Sequence, residues 1–188
     1  MEIKILTLDE LRKRTAIYET LTEAINEGIT YELFDDSVHY VTADAAHALA
    51  VAGRSPGEIN LDFLHELSTD VCAALLSYSG NLIINYIENL SESAALVLSD
   101  HKGGLSFAGI EKLSDPAIES VSRIPGRLSL SGLTHISKRA AIALASRKAP
   151  TVLNDFAEAS LVSWRLMQES LGDLLVFESW DRDHRPEW

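Results

Sequence analysis

The chain has 188 residues, of which 46% are hydrophobic, and its formal net charge at pH 7 is -12. This length and composition are typical of one folded domain. The negative charge argues against binding to nucleic acid or to an anionic membrane surface, and it favours a partner that carries positive charge.

The first 56 residues are predicted to form a helical N-terminal cap. Thr7-Leu8-Asp9-Glu10 reads as a capping box that opens an amphipathic helix through about Asn26, with Gly28 as its stop. From Val41, the stretch VTADAAHALA resembles the helical half of a degenerate repeat, with Thr42 as the N-cap. We expect this segment to cover the first edge of the structure that follows.

From residue 57 the sequence repeats with a period of 23 residues. One apolar column holds Leu61, Ile84, Phe107, Leu130, Leu153 and Val176, and another holds Leu64, Ile87, Ile110, Leu133 and Phe156. A third column contains only serine: Ser68, Ser91, Ser114, Ser137 and Ser160. A fourth contains glycine, interrupted only by Ala149: Gly57, Gly80, Gly103, Gly126 and Gly172. The coincidence of four columns indicates a structural repeat.

Each repeat is predicted to contain a short strand, a turn, a serine-capped helix and a glycine stop. Alternation in Leu128-Ser129-Leu130-Ser131 is typical of a half-buried strand. Ser137 then precedes the alanine-rich KRAAIALAS, so its hydroxyl can cap a helix. The glycines are expected to end the helices in a left-handed conformation. One helical column should pack on the strands: Leu75, Leu98, Val121, Leu144 and Met167.

One such unit cannot bury its apolar residues alone, so neighbouring units must stack. We predict an α/β solenoid over residues 57–178, with parallel strands on one face and short helices on the other. Its six strands are expected at residues 59–61 and then every 23 residues to 174–176. The polar tail, residues 179–188, is expected to cap the last strand.

The stretch LSLSGLTHISKRAAIALA resembles a leucine-rich repeat. It is closest to the cysteine-containing kind, written L-x-L-x-G-C-x-x-I-T-D-x-G-L-x-x-L-A, with Leu133 in place of the cysteine and Ser137 in place of the threonine. The resemblance covers roughly residues 57–178. It implies that a partner binds on the exposed positions of the strands.

The candidate partner-binding residues flank the central apolar column of each strand. They are Asn60, Ile83, Ser106, Ser129, Val152 and Leu175 before it, and Asp62, Asn85, Ser131, Asn154 and Phe177 after it. Phe63 and Tyr86 add an aromatic rim at the N-terminal end. Parallel strands display such positions as one rigid surface, so we expect this face to bind a polypeptide.

Catalytic and metal-binding patterns are weak. Asp35, Asp36 and His39 have suitable side chains, as do Asp181, Asp183 and His184, but neither set lies in a known motif, and solvated surface charge explains both. The single cysteine, Cys72, lies among apolar residues and is expected to be buried. We therefore predict a protein that is not an enzyme and that has no metal or cofactor.

Neither a signal sequence nor a long apolar segment is recognisable, so we expect a soluble cytoplasmic protein. Its predicted function is a protein-binding module. The alternative is an immunity-type inhibitor that neutralises a basic enzyme or toxin, which the acidity and the small size favour. Self-association through an open sheet edge also stays open.

Overall fold

A computed structural model describes residues 4–15, 38–53, 57–153 and 158–177. Its main feature is a sheet of six parallel strands that follow one another across the sheet in chain order. These strands are β3 (Glu58–Asn60), β4 (Asn81–Ile83), β5 (Leu105–Ser106), β6 (Leu128–Leu130), β8 (Thr151–Leu153) and β10 (Leu175–Phe177). Four short strands make two small parallel sheets: β1 (Lys4–Leu6) with β2 (Val38–Val41), and β7 (His135–Ile136) with β9 (Glu158–Ala159).

Helices alternate with the strands, so the chain is an α/β protein. The described helices are α1 (Leu8–Arg14), α2 (Ala43–Ala52), α3 (Thr69–Leu75), α4 (Glu92–Leu98), α5 (Asp115–Val121), α6 (Lys138–Ala145) and α7 (Leu161–Leu171). From α2 to α7, each helix contacts the next one along the chain. None of these described helices combines the length and the apolar character that crossing a membrane requires.

The predicted apolar columns form the core. Every described residue of the first two columns is almost fully buried up to Leu153, and so is the helical column that ends at Met167. Side chains from strands and helices belong to one continuous cluster, which Cys72 joins. Burial raises the pKa of the Cys72 thiol to about 12, so the thiol stays protonated at neutral pH.

The serine column caps the helices as predicted. In each of α3 to α7, the serine hydroxyl before the helix accepts a hydrogen bond from the backbone N–H three residues later, at 3.0 to 3.4 Å. Such a cap satisfies an N–H that the helix itself leaves without a partner. The serine column therefore marks the start of every one of these helices.

The glycine column serves the predicted purpose only at Gly172, which is the C-cap of α7. Among the described glycines only Gly172 has a positive φ, of 51°. A Cβ atom on Gly103 would lie 1.8 Å from the carbonyl oxygen of Gly80, and one on Gly126 would lie 2.4 Å from that of Gly103. These glycines are therefore required because the backbones of successive repeats touch, and the prediction of left-handed helix ends was wrong for them.

The N-terminal part is not purely helical. Thr7 caps α1 as predicted, but α1 ends at Arg14, well before Asn26. The Thr15 hydroxyl donates to the Leu11 carbonyl oxygen at 2.9 Å, which helps to close the last turn. Residues 16–37, with the predicted stop at Gly28, lie outside the described residues. The strands β1 and β2 were not predicted.

Thr42 precedes α2 but does not cap it through its side chain. Its hydroxyl donates instead to Asp44 and to the Leu6 carbonyl oxygen. The prediction that Thr42 replaces the capping serine was therefore wrong in its chemistry, although α2 begins where the sequence indicates.

The period lengthens at the last strand. From β3 to β8 each residue pairs with the residue 23 positions later, whereas Leu153 pairs with Phe177, 24 positions later. The additional residue falls at the short 3₁₀ turn Gly172–Leu174. Phe177 therefore continues the central apolar column, and the prediction of Val176 in that column was wrong by one position.

Candidate functional site

A cavity of about 200 Å³ opens on the sheet where β3 to β6 begin. We call it the strand-face pocket; it is lined by Glu58, Asn81, Leu82, Ile83, Gly104, Leu105, Ser106, Arg127 and Ser129. Ser106 and Ser129 are adjacent in register, and Gly104 contributes no side chain. The pocket exists because the neighbouring strands β5 and β6 place small residues here.

One edge of the strand-face pocket is a polar row with the 23-residue period: Glu58, Asn81, Gly104 and Arg127. The Asn81 side-chain amide donates to Glu58 Oε1 at 3.3 Å, and the Gly104 backbone N–H donates to Asn81 Oδ1 at 3.0 Å. The row joins neighbouring strands and is exposed at Glu58, Asn81 and Arg127. Side chains of opposite charge thus stand at its two ends.

The separation of the two charges follows from the sheet. Glu58 and Arg127 begin strands three places apart, which is about 14 Å at the usual spacing of strands. An extended polypeptide covers that distance with about four residues. The pocket between them is small, neutral and suited to a backbone or a short side chain.

Three predicted partner-binding residues line the strand-face pocket: Ile83, Ser106 and Ser129. Ser106 is half-buried, while Ile83 and Ser129 are about 92% buried, more than the prediction assumed. A side chain in a central strand is shielded by the strands on both sides, which lie only about 4.8 Å away. Glu58, Asn81 and Arg127 complete the pocket and were missed, although their regular spacing is visible in the sequence.

Three other predicted residues, Asp62, Asn85 and Ser131, are buried and do not form a binding surface. The Asn85 backbone N–H donates to Asp62 Oδ1 at 2.6 Å. Asn85 Oδ1 in turn accepts from the Ala108 backbone N–H at 3.0 Å and from the Ser106 hydroxyl at 2.7 Å. We call this series the polar ladder. It satisfies backbone groups where the strands end, so the prediction that these residues bind a partner was wrong.

The remaining N-terminal candidates have mixed positions. Asn60 is half-buried, and its Oδ1 accepts from the Asp62 backbone N–H at 2.8 Å. Phe63 is half-buried and packs against the core, so only part of its ring is available. Tyr86 is also half-buried. The aromatic rim is therefore less exposed than a hot spot for binding usually is before its partner arrives.

At the C-terminal end the predicted apolar anchors differ in accessibility. Val152 is fully buried, and Leu175, which the changed register moves to an inward position, packs against the core. Phe177 is 43% exposed, and its ring lies 5.6 Å from that of Trp164. Asn154 and the predicted capping tail lie outside the described residues. Val152 and Leu175 therefore do not offer the predicted binding surface.

A polar groove lies near the N-terminal end, between the turns that precede α3 and α4. His39 stacks on His65, with ring centroids 4.1 Å apart, and Glu66 and Glu88 lie nearby on its walls. Within the residues that the structure describes, no three such side chains are grouped as metal ligands would be. Asp35 and Asp36, proposed beside His39, lie outside these residues, as do Asp181, Asp183 and His184.

A buried arginine was missed entirely. Arg147 is 5% exposed and donates to the carbonyl oxygens of Ser122 and Ile124 at 3.0 Å and of Gly126 at 2.6 Å. Its Nε donates to the Thr151 hydroxyl at 2.9 Å. Burial lowers the pKa of Arg147 to about 10, so it remains charged at neutral pH. The repeat pattern gave no signal for Arg147, because the equivalent positions of the preceding repeats hold residues of different kinds: Tyr78, His101 and Ile124.

Comparison with known proteins adds no relative. No family model, curated protein or solved structure matches the chain. Function is therefore inferred from the residues of this chain and their geometry.

Proposed function

We propose that this chain is a leucine-rich-repeat solenoid that binds a polypeptide partner in the strand-face pocket. The observation that carries the proposal is the pocket itself, with Ser106 and Ser129 inside it and Glu58 and Arg127 at opposite ends of its edge. The 23-residue register of the parallel strands supports the repeat assignment. The N-terminal residues then act as the cap of the solenoid.

The charges around the pocket define the partner. An extended segment that crosses the strands would place a basic group near Glu58 and an acidic group near Arg127. Small residues between these two groups would fit over Ser106, because a large side chain would exceed the cavity of about 200 Å³. The pocket thus favours a peptide with separated opposite charges over a uniformly charged one.

A random dodecapeptide library displayed on phage tests the proposal. Ser106→Arg fills the pocket from a half-buried position and should abolish enrichment of the peptides that wild type selects. Leu96→Arg is the matched control, because it adds the same side chain in an adjacent repeat at a residue of α4 that is 56% exposed. Thermal unfolding of both variants verifies that they fold.

The selected sequences decide the outcome. Peptides that bind wild type and Leu96→Arg, and that lose at least tenfold in affinity for Ser106→Arg, support the strand-face pocket. Glu58→Lys should then weaken the same peptides, while Arg127→Glu should affect those with an acidic residue. Equal affinity for wild type and Ser106→Arg would place binding elsewhere and refute the proposal.

A second function, inhibition of a basic enzyme or toxin, is favoured by the distribution of charge. Residues 57–100 contain seven acidic residues and no lysine or arginine. All of the acidic side chains except Asp62 are exposed. Such a surface would attract a cationic protein over a distance of several ångströms.

The inhibitor hypothesis predicts a different variant effect. The double variant Glu66→Lys, Glu88→Lys should associate more slowly with a cationic enzyme, for example a basic ribonuclease chosen from a panel of such enzymes. The control variant Glu111→Lys lies outside this segment and should change the association rate little. If no basic enzyme is inhibited by wild type, or if the control variant has the same effect, the inhibitor hypothesis fails.

A further inference from the structure

A second groove lies between α5 and α6, and it shares no lining residue with the strand-face pocket. It has a volume of about 890 Å³. Its lining includes Arg123, Lys138, Arg139 and Lys148, together with the apolar side chain of Ile142. We call it the helix-side groove. Its size is in the range of grooves and clefts that bind ligands.

The helix-side groove is cationic on a chain whose net charge is -12. Arg139 is neutralised, because it forms a two-pronged ion pair with Glu119, with Nη2 donating to Oε2 at 2.8 Å. Arg123, Lys138 and Lys148 are exposed, and none of the three forms an ion pair with another described residue. Lys138 begins α6 and Lys148 follows its end, so two of the three free charges flank this helix at opposite ends.

Buried positive charge adds to the field of the groove. Arg147 lines it, and its described partners are carbonyl oxygens and one hydroxyl. Its charge is thus balanced by dipoles alone among the described residues. An anionic group held in the groove would provide a counter-charge in a partly desolvated place, where electrostatic interactions are stronger than in water.

The repeat offers an internal comparison that separates scaffold from function. Arg123, Lys138, Ile142 and Lys148 correspond, one repeat earlier, to Asp100, Asp115, Glu119 and Pro125. Those positions carry no basic residue, yet α4 and α5 form and pack as α6 does. The fold therefore does not require positive charge at these positions, and its presence in one repeat points to a ligand.

Ile142 identifies the kind of ligand. It is 52% exposed in the middle of α6, between the free charges. The phosphates of a nucleic acid would not cover an aliphatic side chain, and the acidic residues 57–100 of the same chain would repel a long polyanion. A polypeptide with carboxylates on both sides of an aliphatic residue satisfies the charges and covers Ile142.

We propose that the helix-side groove binds an acidic polypeptide segment that places carboxylates near Lys138, Arg123 and Lys148 and an aliphatic side chain on Ile142. Lys138 and Lys148 are ten residues apart, which is about 15 Å at the rise of a helix. A bound segment covers that distance with about ten helical residues or four to five extended ones. This proposal is independent of the strand-face pocket. It gives the chain a second partner surface, which prefers an acidic segment over one with separated opposite charges.

The test uses the same random dodecapeptide library on the full chain, with wild type and the double variant Arg123→Ser, Lys148→Ser. Serine is a safe replacement, because the repeat itself has serine at the equivalent positions 77 and 79. Arg165→Ser is the control, since it removes an exposed positive charge from α7 outside the groove. Thermal unfolding checks that each variant folds. Ser106→Arg is included because it blocks the strand-face pocket and leaves the helix-side groove unchanged.

The expected result is a class of peptides rich in Asp and Glu around Leu, Ile or Val. Their affinity should fall at least tenfold in the double variant and in Ile142→Ser, and should be unchanged in Arg165→Ser and in Ser106→Arg. Peptides lost only in Ser106→Arg would support the strand-face pocket and not this groove. The two proposals can therefore fail separately.

Other results would overturn the proposal. They are a selected pool without excess Asp and Glu, equal binding by wild type and the double variant, or displacement of the selected peptides by an oligothymidylate at lower concentration than by acidic peptides. Dimerisation of the chain that disappears in the double variant would assign the groove to a second copy. Sedimentation equilibrium measures this last outcome.

Discussion

At the scale of single residues, the polar ladder shows how periodic polar side chains serve the fold. Asp62 and Asn85 stand one repeat apart, and each side-chain oxygen accepts a backbone N–H from the following repeat. The sequence places both beside the strands but does not reveal whether they face solvent or the next turn. That choice depends on where each strand stops, which a shift of one residue changes.

The polar ladder should therefore matter for stability. Asn85→Ala leaves the buried Ala108 N–H without its acceptor, and we expect the free energy of unfolding to fall by about 2 to 4 kcal/mol. Asn81→Ala is the control, because this exposed residue bonds similarly to Gly104; we expect a loss of about 1 kcal/mol or less. Urea unfolding measures both, and equal losses would contradict the structural role of the polar ladder.

His101 should make stability depend on pH. It is 1% exposed, its Nε2 bonds to the Gly80 carbonyl oxygen at 2.9 Å, and burial lowers its pKa below the ordinary 6.5. Below pH 6.5 the unfolded chain therefore binds a proton more readily than the folded chain does. The stability contributed by neutral His101 is complete above pH 6.5 and is lost as the pH falls towards the folded-state pKa.

The measurement compares wild type with His101→Gln from pH 7.5 to pH 5. The difference in unfolding free energy between the two should change by up to about 1.4 kcal/mol per pH unit below pH 6.5, with wild type becoming relatively less stable. Glutamine keeps a side-chain N–H donor without a titratable group. Parallel pH profiles for the two proteins would show that His101 does not contribute this dependence.

At the scale of elements, strands and helices repeat because each unit is in contact with the one before it. Gly80, Gly103 and Gly126 lie where these contacts involve the backbone itself. The capping serines define where the helices begin, and the apolar columns define which side of each element is buried. Local signals and stacking thus agree over β3 to β8.

The glycine contact predicts a severe substitution. Gly103→Ala would bring a methyl group to 1.8 Å from the Gly80 carbonyl oxygen, so two backbones would have to separate. We expect a loss of about 3 kcal/mol or more in the free energy of unfolding, or failure to fold. The control is Lys102→Ala, an exposed change in the same turn, for which about 0.5 kcal/mol or less is expected.

Urea unfolding of the two variants checks this prediction. If Gly103→Ala and Lys102→Ala lowered the free energy of unfolding by similar, small amounts, the repeats could separate at this turn with little loss of stability. The close backbone approach would then not be the reason for the glycine column.

At the scale of the whole molecule, charge changes sign along the sheet. Residues 57–100 carry a formal charge of -7, whereas residues 101–153 contain eight basic and three acidic residues, a formal charge of +5. Because the strands follow chain order, the acidic and basic regions occupy opposite parts of the sheet and its helices. A net charge of -12 therefore conceals two regions that attract different partners.

Ionic strength should separate the proposed binding modes. Association of a cationic protein with the acidic region, and of acidic peptides with the helix-side groove, should slow markedly as salt rises. Peptides that bind through the neutral part of the strand-face pocket should change less. Stopped-flow association rates at low and high salt measure the difference, and identical salt dependence for all partners would contradict these assignments.

Much of the architecture was predictable from sequence, because the signals involved are local and repeated. Ser137 caps a helix through a bond to a residue three positions away, and Phe107 is buried through a period that strands and helices impose directly. Reading one repeat against the next also predicted six parallel strands in chain order. The leucine-rich-repeat assignment and the partner-binding function remain proposals.

Tertiary structure alone decided the features that depend on contacts between residues far apart in the sequence. The additional residue before β10 moved Leu175 inwards, the polar ladder buried Asn85, and Arg147 became the floor of a charged groove. Each depends on which backbone groups lack a hydrogen-bond partner once the repeats stack. The sequence alone does not show which groups these are. By itself the sequence determined the period and the caps, since these follow from short-range geometry, while long-range packing determined which polar residues are accessible.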